Sequence, residues 1–211
     1  MRKQLATFSQ DPEFFSEYKV RLSASSKKIA TRKILDFGAG IGSSLPFLRK
    51  YFADAEIYAT DISEKSLEQI RSNYDFVRVL LDEEVNQIDF DLIFVACVFH
   101  HVERYDRPEL LVRLSKLLTK EGGLHIFEHN PWNPITRRMV STCPFDKDAV
   151  LIRKSELASL IQKSTSLRIT DHGYCLFFPP VLRRLICLER LLRWMPIGGQ
   201  YYVFAGHQAA S

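Results

Sequence analysis

The chain has 211 residues, 46% hydrophobic and 26% charged, which suits one large domain with a sizeable core. This excludes disordered, collagenous and low-complexity chains, and no run approaches the roughly 18 uninterrupted apolar residues that a bilayer-spanning helix needs. The 29 basic and 25 acidic residues leave a formal charge of +4, too mild for a dedicated nucleic-acid binder with its dense basic stripe.

Phe8, Phe14, Phe15, Tyr18 and Val20 give residues 8–20 the spacing of a short amphipathic helix ahead of the main domain. A polar, basic stretch over residues 23–33 reads as the linker that follows. Residues 34–37 form a short apolar strand ending in glycines, and 44–52 carry helical spacing through Leu45, Leu48 and Phe52. A second strand over 56–60 ends at Asp61, and Ser63 is suited to cap a helix over 64–73. Strands follow at 76–81 and 91–98, the latter a continuous apolar run of the kind covered on both faces of a parallel sheet. The leucines of 107–118 predict a helix stopped by Gly122-Gly123, before a strand at 124–128. Beyond it come a proline turn at 130–134, helices at 135–141 and at 155–163 (capped by Ser155), and a strand at 166–178. A helix over 181–195 and a strand at 200–205 complete the reading. Strands alternating with helices of this length imply an α/β fold, a mostly parallel sheet with helices on both faces. The expected layout is one domain over 1–211, with a lid helix and linker at 1–30 and acceptor-side insertions at 129–199.

Cys97, Cys143, Cys175 and Cys187 are widely spaced and make neither a CxxC nor a Cys/His cluster, so neither a metal site nor a disulfide framework is expected. Arg2 and Lys3 precede no apolar leader core, and a reducing cytoplasm is the default location.

The first strand runs into Asp36-Phe37-Gly38-Ala39-Gly40-Ile41-Gly42, a tight strand-to-helix turn that lets a ligand approach the backbone. A dinucleotide fingerprint would place its last glycine at position 43, which is Ser43, and a phosphate-binding G-K-[ST] is absent. These departures disfavour a nicotinamide oxidoreductase and a nucleoside triphosphatase. Asp61, 21 residues beyond Gly40, is placed to accept both hydroxyls of a ribose. Asp36 would repel a pyrophosphate and favour an amino group. An adenosine carrying a cationic tail fits both carboxylates, and S-adenosylmethionine is such a ligand.

At this point the sequence resembles the class I S-adenosylmethionine-dependent methyltransferases. Asp36 to Gly42 is similar to their first motif, and Asp61-Ile62 to the acid and apolar residue that hold ribose and adenine. Asp82 matches in position the residue that contacts the adenine amino group. Ala96 to His101 is similar to the stretch flanking the methionine moiety, and 118–125 to the turn into the fifth strand. The resemblance implies a Rossmann-like, doubly wound sheet of seven strands with the last one antiparallel. It also implies cofactor contacts from Asp36, Gly38, Ala39, Gly40, Asp61, Ile62, Asp82, Ala96 and Cys97.

Transfer to a hydroxyl benefits from a general base, and the strand ends after residues 98 and 128 face the ligand crevice of such sheets. His129 is the first candidate and His101 the second, with His100 and Glu128 beside them; the His100-His101 pair reads equally as a cap on the next helix or a partner of a carbonyl. Base N-methyltransferases carry Asn-Pro-Pro-aromatic after the fourth strand, where this chain has Cys97-Val98-Phe99-His100, so no nucleic-acid partner is expected. The segments 128–134, 143–146 and 196–201 resemble a bacterial subgroup associated with surface glycans or glycolipids. A small-molecule acceptor, with a glycan or lipid precursor leading, is therefore expected. A non-catalytic S-adenosylmethionine-binding subunit is the alternative. Phe14, Phe15, Tyr18, Trp132, Phe145, Phe177 and Phe178 are available to line an acceptor pocket. The 181–195 helix has an apolar face opposite Arg183, Arg190 and Arg193. It reads as a lid packed on the domain or, more sharply, as a contact with an anionic membrane surface or lipid-linked substrate.

Overall fold

The structure, a computed structural model, describes residues 12–26 and 31–207; the part of the expected first helix before residue 12 lies outside the described residues. Helix α1 (Pro12–Ser26) precedes β1 (Lys33–Phe37), α2 (Leu45–Tyr51), β2 (Glu56–Thr60), α3 (Glu64–Asn73) and β3 (Val77–Val79). A single turn, α4 (Asp82–Val85), leads to β4 (Phe90–Ala96), α5 (Arg107–Lys116) and the long β5 (Leu118–His129). Then come α6 (Pro134–Thr142), α7 (Lys154–Ser164), β6 (Arg168–Cys175), the one-turn α8 (Glu189–Leu192) and β7 (Gln200–Gly206). The strands form one sheet in the order β3-β2-β1-β4-β5-β7-β6. β1 to β5 run parallel, and β7 inserts antiparallel to both β5 and β6, so the mixed, doubly wound sheet expected of the resemblance is present. No described helix is long and apolar enough to cross a membrane.

Alternation along the strands divides the core. Leu35, Ile93 and Val95 face one side with Leu111, Leu114 and Ile161, while Ile34, Leu92 and Phe94 face the other with Leu45, Leu48 and Tyr18. Burial on both faces explains the unbroken apolar run of β4. Ser63 caps α3 as expected, its hydroxyl accepting from the Ser66 amide.

Five local expectations fail for tertiary reasons. Residue 23 does not open a linker: α1 runs on to Ser26, because the Ser23 hydroxyl meets His125 Nδ1 at 2.5 Å in the core. Gly122-Gly123 does not stop a helix but lies inside β5, at a bulge where a Cβ on Gly122 would meet the Phe90 carbonyl oxygen at 2.8 Å. Ser155 caps nothing, since α7 begins at Lys154 with Arg153 at its cap position. The strand expected over 166–178 ends at Cys175, and Leu176 turns the chain with a φ of 59°. The helix expected over 181–195 is a 3₁₀ run, Pro180–Leu188, broken at Leu182 and followed by α8. Its Val181, Leu182, Leu185 and Leu188 are exposed instead of packed on the domain.

Candidate active site

The strand order reverses between β1 and β4, and ligands of open α/β sheets bind at such a point. A cavity of about 690 Å³ opens there. Its floor is Asp36, Gly38, Ala39 and Gly40 from the β1 turn, with Ala96 and Cys97 from the end of β4. Gly38, Gly40 and Gly42 have φ of 70°, 55° and 84°, the left-handed region that only glycine enters at no steric cost. A Cβ on Gly38 would strike Val98 Cγ2 at 2.5 Å, whereas one on Gly40 would meet nothing within 4 Å. Gly40 therefore leaves room for a ligand.

The amides of this turn are already engaged. Gly38 and Ala39 donate to the Thr60 carbonyl at 2.9 and 3.0 Å, and Gly40 donates to Asp61 Oδ2 at 2.8 Å. A pyrophosphate would find these donors taken, which agrees with the missing third glycine of a dinucleotide loop. Asp61 is fixed at the β2 edge, its Oδ1 accepting from the Ser63 amide at 2.9 Å. Each oxygen of a carboxylate has a second lone pair, so both remain able to accept a ribose hydroxyl. Ile62 stands exposed beside it. Asp82 lies on the first turn of α4, where its carboxylate pairs with Arg113 at 2.8 Å, and it does not line the cavity.

Asp36 is the chemically distinctive residue. It is 2% exposed, and its Oδ2 has no hydrogen-bond partner. Burial pushes its pKa up to about 7, Asp61 adds to the rise, and the Lys19 ammonium on the same cavity wall opposes it. A buried, unpartnered carboxylate facing a cavity calls for a cation or a hydrogen-bond donor.

The ends of β4 and β5 place the three base candidates differently. Glu128 is fully buried and faces away from the cavity. Its Oε1 accepts the Phe99 amide at 2.7 Å and its Oε2 lies 2.7 Å from His100 Nδ1, fixing the turn after β4. Burial opposes that charge, yet the hydrogen bond from His100 holds the Glu128 pKa below its ordinary value. His100 is held the other way, its pKa raised by Glu128 against burial. His101 is part-exposed, lies 3.3 Å from Asp146, and does not line the cavity. His100, His101 and Asp146 come together closely enough to share a metal ion, although His100 Nδ1 is committed to Glu128. His129 alone of the three candidates lines the cavity. Burial lowers its pKa, so the imidazole is neutral at pH 7, and its Nδ1 lies 3.5 Å from the Gln200 amide.

Sequence reasoning missed several residues. Gln200 closes the cavity at the start of β7, with a buried Oε1 that has no partner. Leu176 holds a φ of 59° without being glycine and faces the cavity; Cys97, expected at the cofactor, lines it too, with a φ of 62°. Glu189 is buried under the roof: it accepts the amides of Leu176, Phe177 and Phe178 and the hydroxyl of Tyr18, tying α1 to the segment after β6. The far wall is built from two segments that the sequence singled out, the proline turn at 130–134 and the 196–201 segment. There Asn130 donates to the Pro196 and Gly198 carbonyls, and Asn133 caps α6 while donating to Ile197. The 130–134 and 196–201 segments, distant in sequence, thus form one wall. Of the aromatics expected at an acceptor pocket, Phe15 and Phe177 line the cavity, and the side chain of Phe145 falls outside those described.

Residues 35–124 match the family model described as a methyltransferase domain. No curated protein matches the chain. Among solved structures, a SAM-dependent methyltransferase from Archaeoglobus fulgidus superposes with a TM-score of 0.67 at 16% identity, over 92% of this chain and 93% of that one. The plantazolicin methyltransferase BpumL, in complex with SAH, gives 0.63 at 19% identity, over 98% and 86%. The mitomycin 7-O-methyltransferase MmcR gives 0.66 at 16% identity over 92% of this chain; the chain spans only 54% of its length.

Proposed function

Because the chain carries a class I S-adenosylmethionine-dependent methyltransferase domain, we propose that it methylates a hydroxyl of a small-molecule acceptor, with His129 as general base. One observation carries this reading: the unpartnered carboxylate of Asp36 and the neutral imidazole of His129 line the same cavity of about 690 Å³. That volume lies within the range of sites that enclose a small ligand. The orphaned Asp36 Oδ2 suits the cationic amino-acid end of S-adenosylmethionine, which supplies a methyl group already activated on sulfur. Gly38, Ala39 and Gly40 lie against the nucleoside, Asp61 holds the ribose, Ile62 flanks the adenine, and Ala96 and Cys97 border the methionine portion; Asp82, engaged by Arg113, takes no part.

The remaining tasks are to hold the acceptor oxygen about 3–3.5 Å from the methyl, in line with the bond that breaks, and to take its proton. His129 accepts that proton as the oxygen–methyl bond forms. Gln200 positions it: with its amide turned so that Oε1 accepts the Nδ1 proton, Nε2 is left as the basic nitrogen. Glu128 holds His100 and the backbone under this wall; His101 stands at its rim. A glycan or lipid precursor is the acceptor class, supported by the exposed apolar and arginine-bearing segment 181–197, which suits a peripheral contact with a lipid-borne substrate.

The test is turnover with labelled donor across such precursors. His129→Ala should lower the rate by about 100-fold, the usual scale of general-base catalysis, with affinity for S-adenosylhomocysteine within about threefold. Unchanged turnover would remove His129 from the reaction. Burial lowers the His129 pKa, so the fall in rate on acidification should come at a lower pH than for an ordinary imidazole.

A further inference from the structure

A second cavity, of about 750 Å³, lies against the same helix α1 but on another wall, lined by Tyr18, Arg21 and Leu22 instead of Phe15, Ser16 and Lys19. Five arginines converge on it: Arg21, Arg183, Arg184, Arg190 and Arg193. Its two carboxylates are both engaged. Asp171 pairs with Arg193 at 3.3 Å, and Glu189 is buried among the amides and the tyrosine hydroxyl that it accepts. Among the described residues, no carboxylate pairs with Arg21, Arg183, Arg184 or Arg190, which leaves four guanidinium groups around one concavity. Holding like charges together without counter-ions raises the electrostatic energy, and a multivalent anion relieves it. Guanidinium groups match the oxygens of a phosphate bidentately, and a phosphoester presents several such oxygens at once.

We propose that this cavity is a binding site for a phosphate or diphosphate ester, separate from the methyl-transfer cavity. Next in the chain to its lining residues Cys187, Glu189, Arg190 and Arg193 stand Leu188, Leu191 and Trp194, 43%, 70% and 73% exposed, which offer a surface for the hydrocarbon part of such an ester. Glu189 lines this cavity and also clasps the roof of the first, so the two sites share a structural member. The inference deepens the acceptor reading, but it concerns anion binding and requires no methyl transfer.

Inorganic pyrophosphate and vesicles containing phosphatidylglycerol are the probes, titrated against the full chain by calorimetry and co-sedimentation. Saturable binding to either probe is expected, weakening with salt, and Arg183→Gln with Arg190→Gln should weaken it about tenfold or more. Both positions are exposed, and affinity for S-adenosylhomocysteine should stay within about threefold, which certifies the fold. Pyrophosphate binding that Trp194→Ser leaves unchanged assigns a soluble phosphoester. Vesicle binding that Trp194→Ser also weakens assigns a lipid headgroup. Binding of neither probe, or binding that survives the arginine substitutions, overturns the proposal. Saturable anion binding by a native protein that methylates none of the glycan or lipid precursors would sink the acceptor reading alone.

Discussion

The floor and the roof of the first cavity are built by different means. The floor, from β1 to the end of β4, is local: a glycine turn preceded by the unpartnered Asp36, with Asp61 at the next strand edge, the turn amides and Asp61 fixed by hydrogen bonds at the ends of the parallel strands. The roof and far wall join α1, the 130–134 turn, the segment after β6 and the 196–199 loop through single buried side chains, Glu189 and Asn130 above all. A floor of this kind suits an invariant ligand. A roof held by a few long-range bonds can change shape to suit an acceptor without disturbing the floor.

The largest effect that would separate the two is expected at Asp36. Asp36→Asn keeps the volume and removes the charge, so affinity for S-adenosylmethionine should fall by about 100-fold or more in calorimetry. Stability should move the other way. The native pKa of about 7 lies above the ordinary carboxylate value, so the folded protein holds the proton more tightly and loses stability as pH rises from about 4 to 7. The asparagine variant should lack that decline, which amounts to about 4 kcal/mol over the window. A variant that binds the cofactor normally would break the assignment of the floor.

Glu189→Ala should be the largest roof effect. It leaves the Leu176 and Phe177 amides and the Tyr18 hydroxyl without their acceptor, and urea denaturation should register a loss of about 3 kcal/mol. Turnover should fall further than affinity for S-adenosylhomocysteine. Within the floor, Gly38→Ala combines a left-handed φ with the Val98 clash, costing about 2–4 kcal/mol in stability. Gly40→Ala carries the strain alone, about 1–2 kcal/mol, yet should weaken the cofactor by about tenfold because the added methyl fills the ligand's space. Equal affinity losses from the two glycine variants would contradict their separate roles.

The same division decided what could be read from the sequence. Alternating strands and helices, the Asp36 to Gly42 turn and Asp61 were legible because each rests on short-range spacing or on the order of elements; the antiparallel β7 was implied only by the family resemblance. His129 was legible as a strand end. Its neighbour Glu128 was legible as a carboxylate but not as the buried partner of His100, since that pairing spans 28 residues. Ser23 looked like linker because serine is a weak helix former, and only His125, 102 residues away, gives it a reason to be buried in a helix. Gly122-Gly123 resembled a helix stop because glycine also serves a β-bulge. Glu189 carried no signal, having no pattern until the chain closes around it.

The central claim, that Asp36 in ionised form grips the cationic end of S-adenosylmethionine, is tested most directly by proton uptake or release on binding. Titrations near pH 6.5 in buffers of different ionisation enthalpy should show release of a proton on binding, fading above about pH 8 and absent in Asp36→Asn. Binding that releases no proton near pH 6.5, or releases as much in the asparagine variant, would contradict the account.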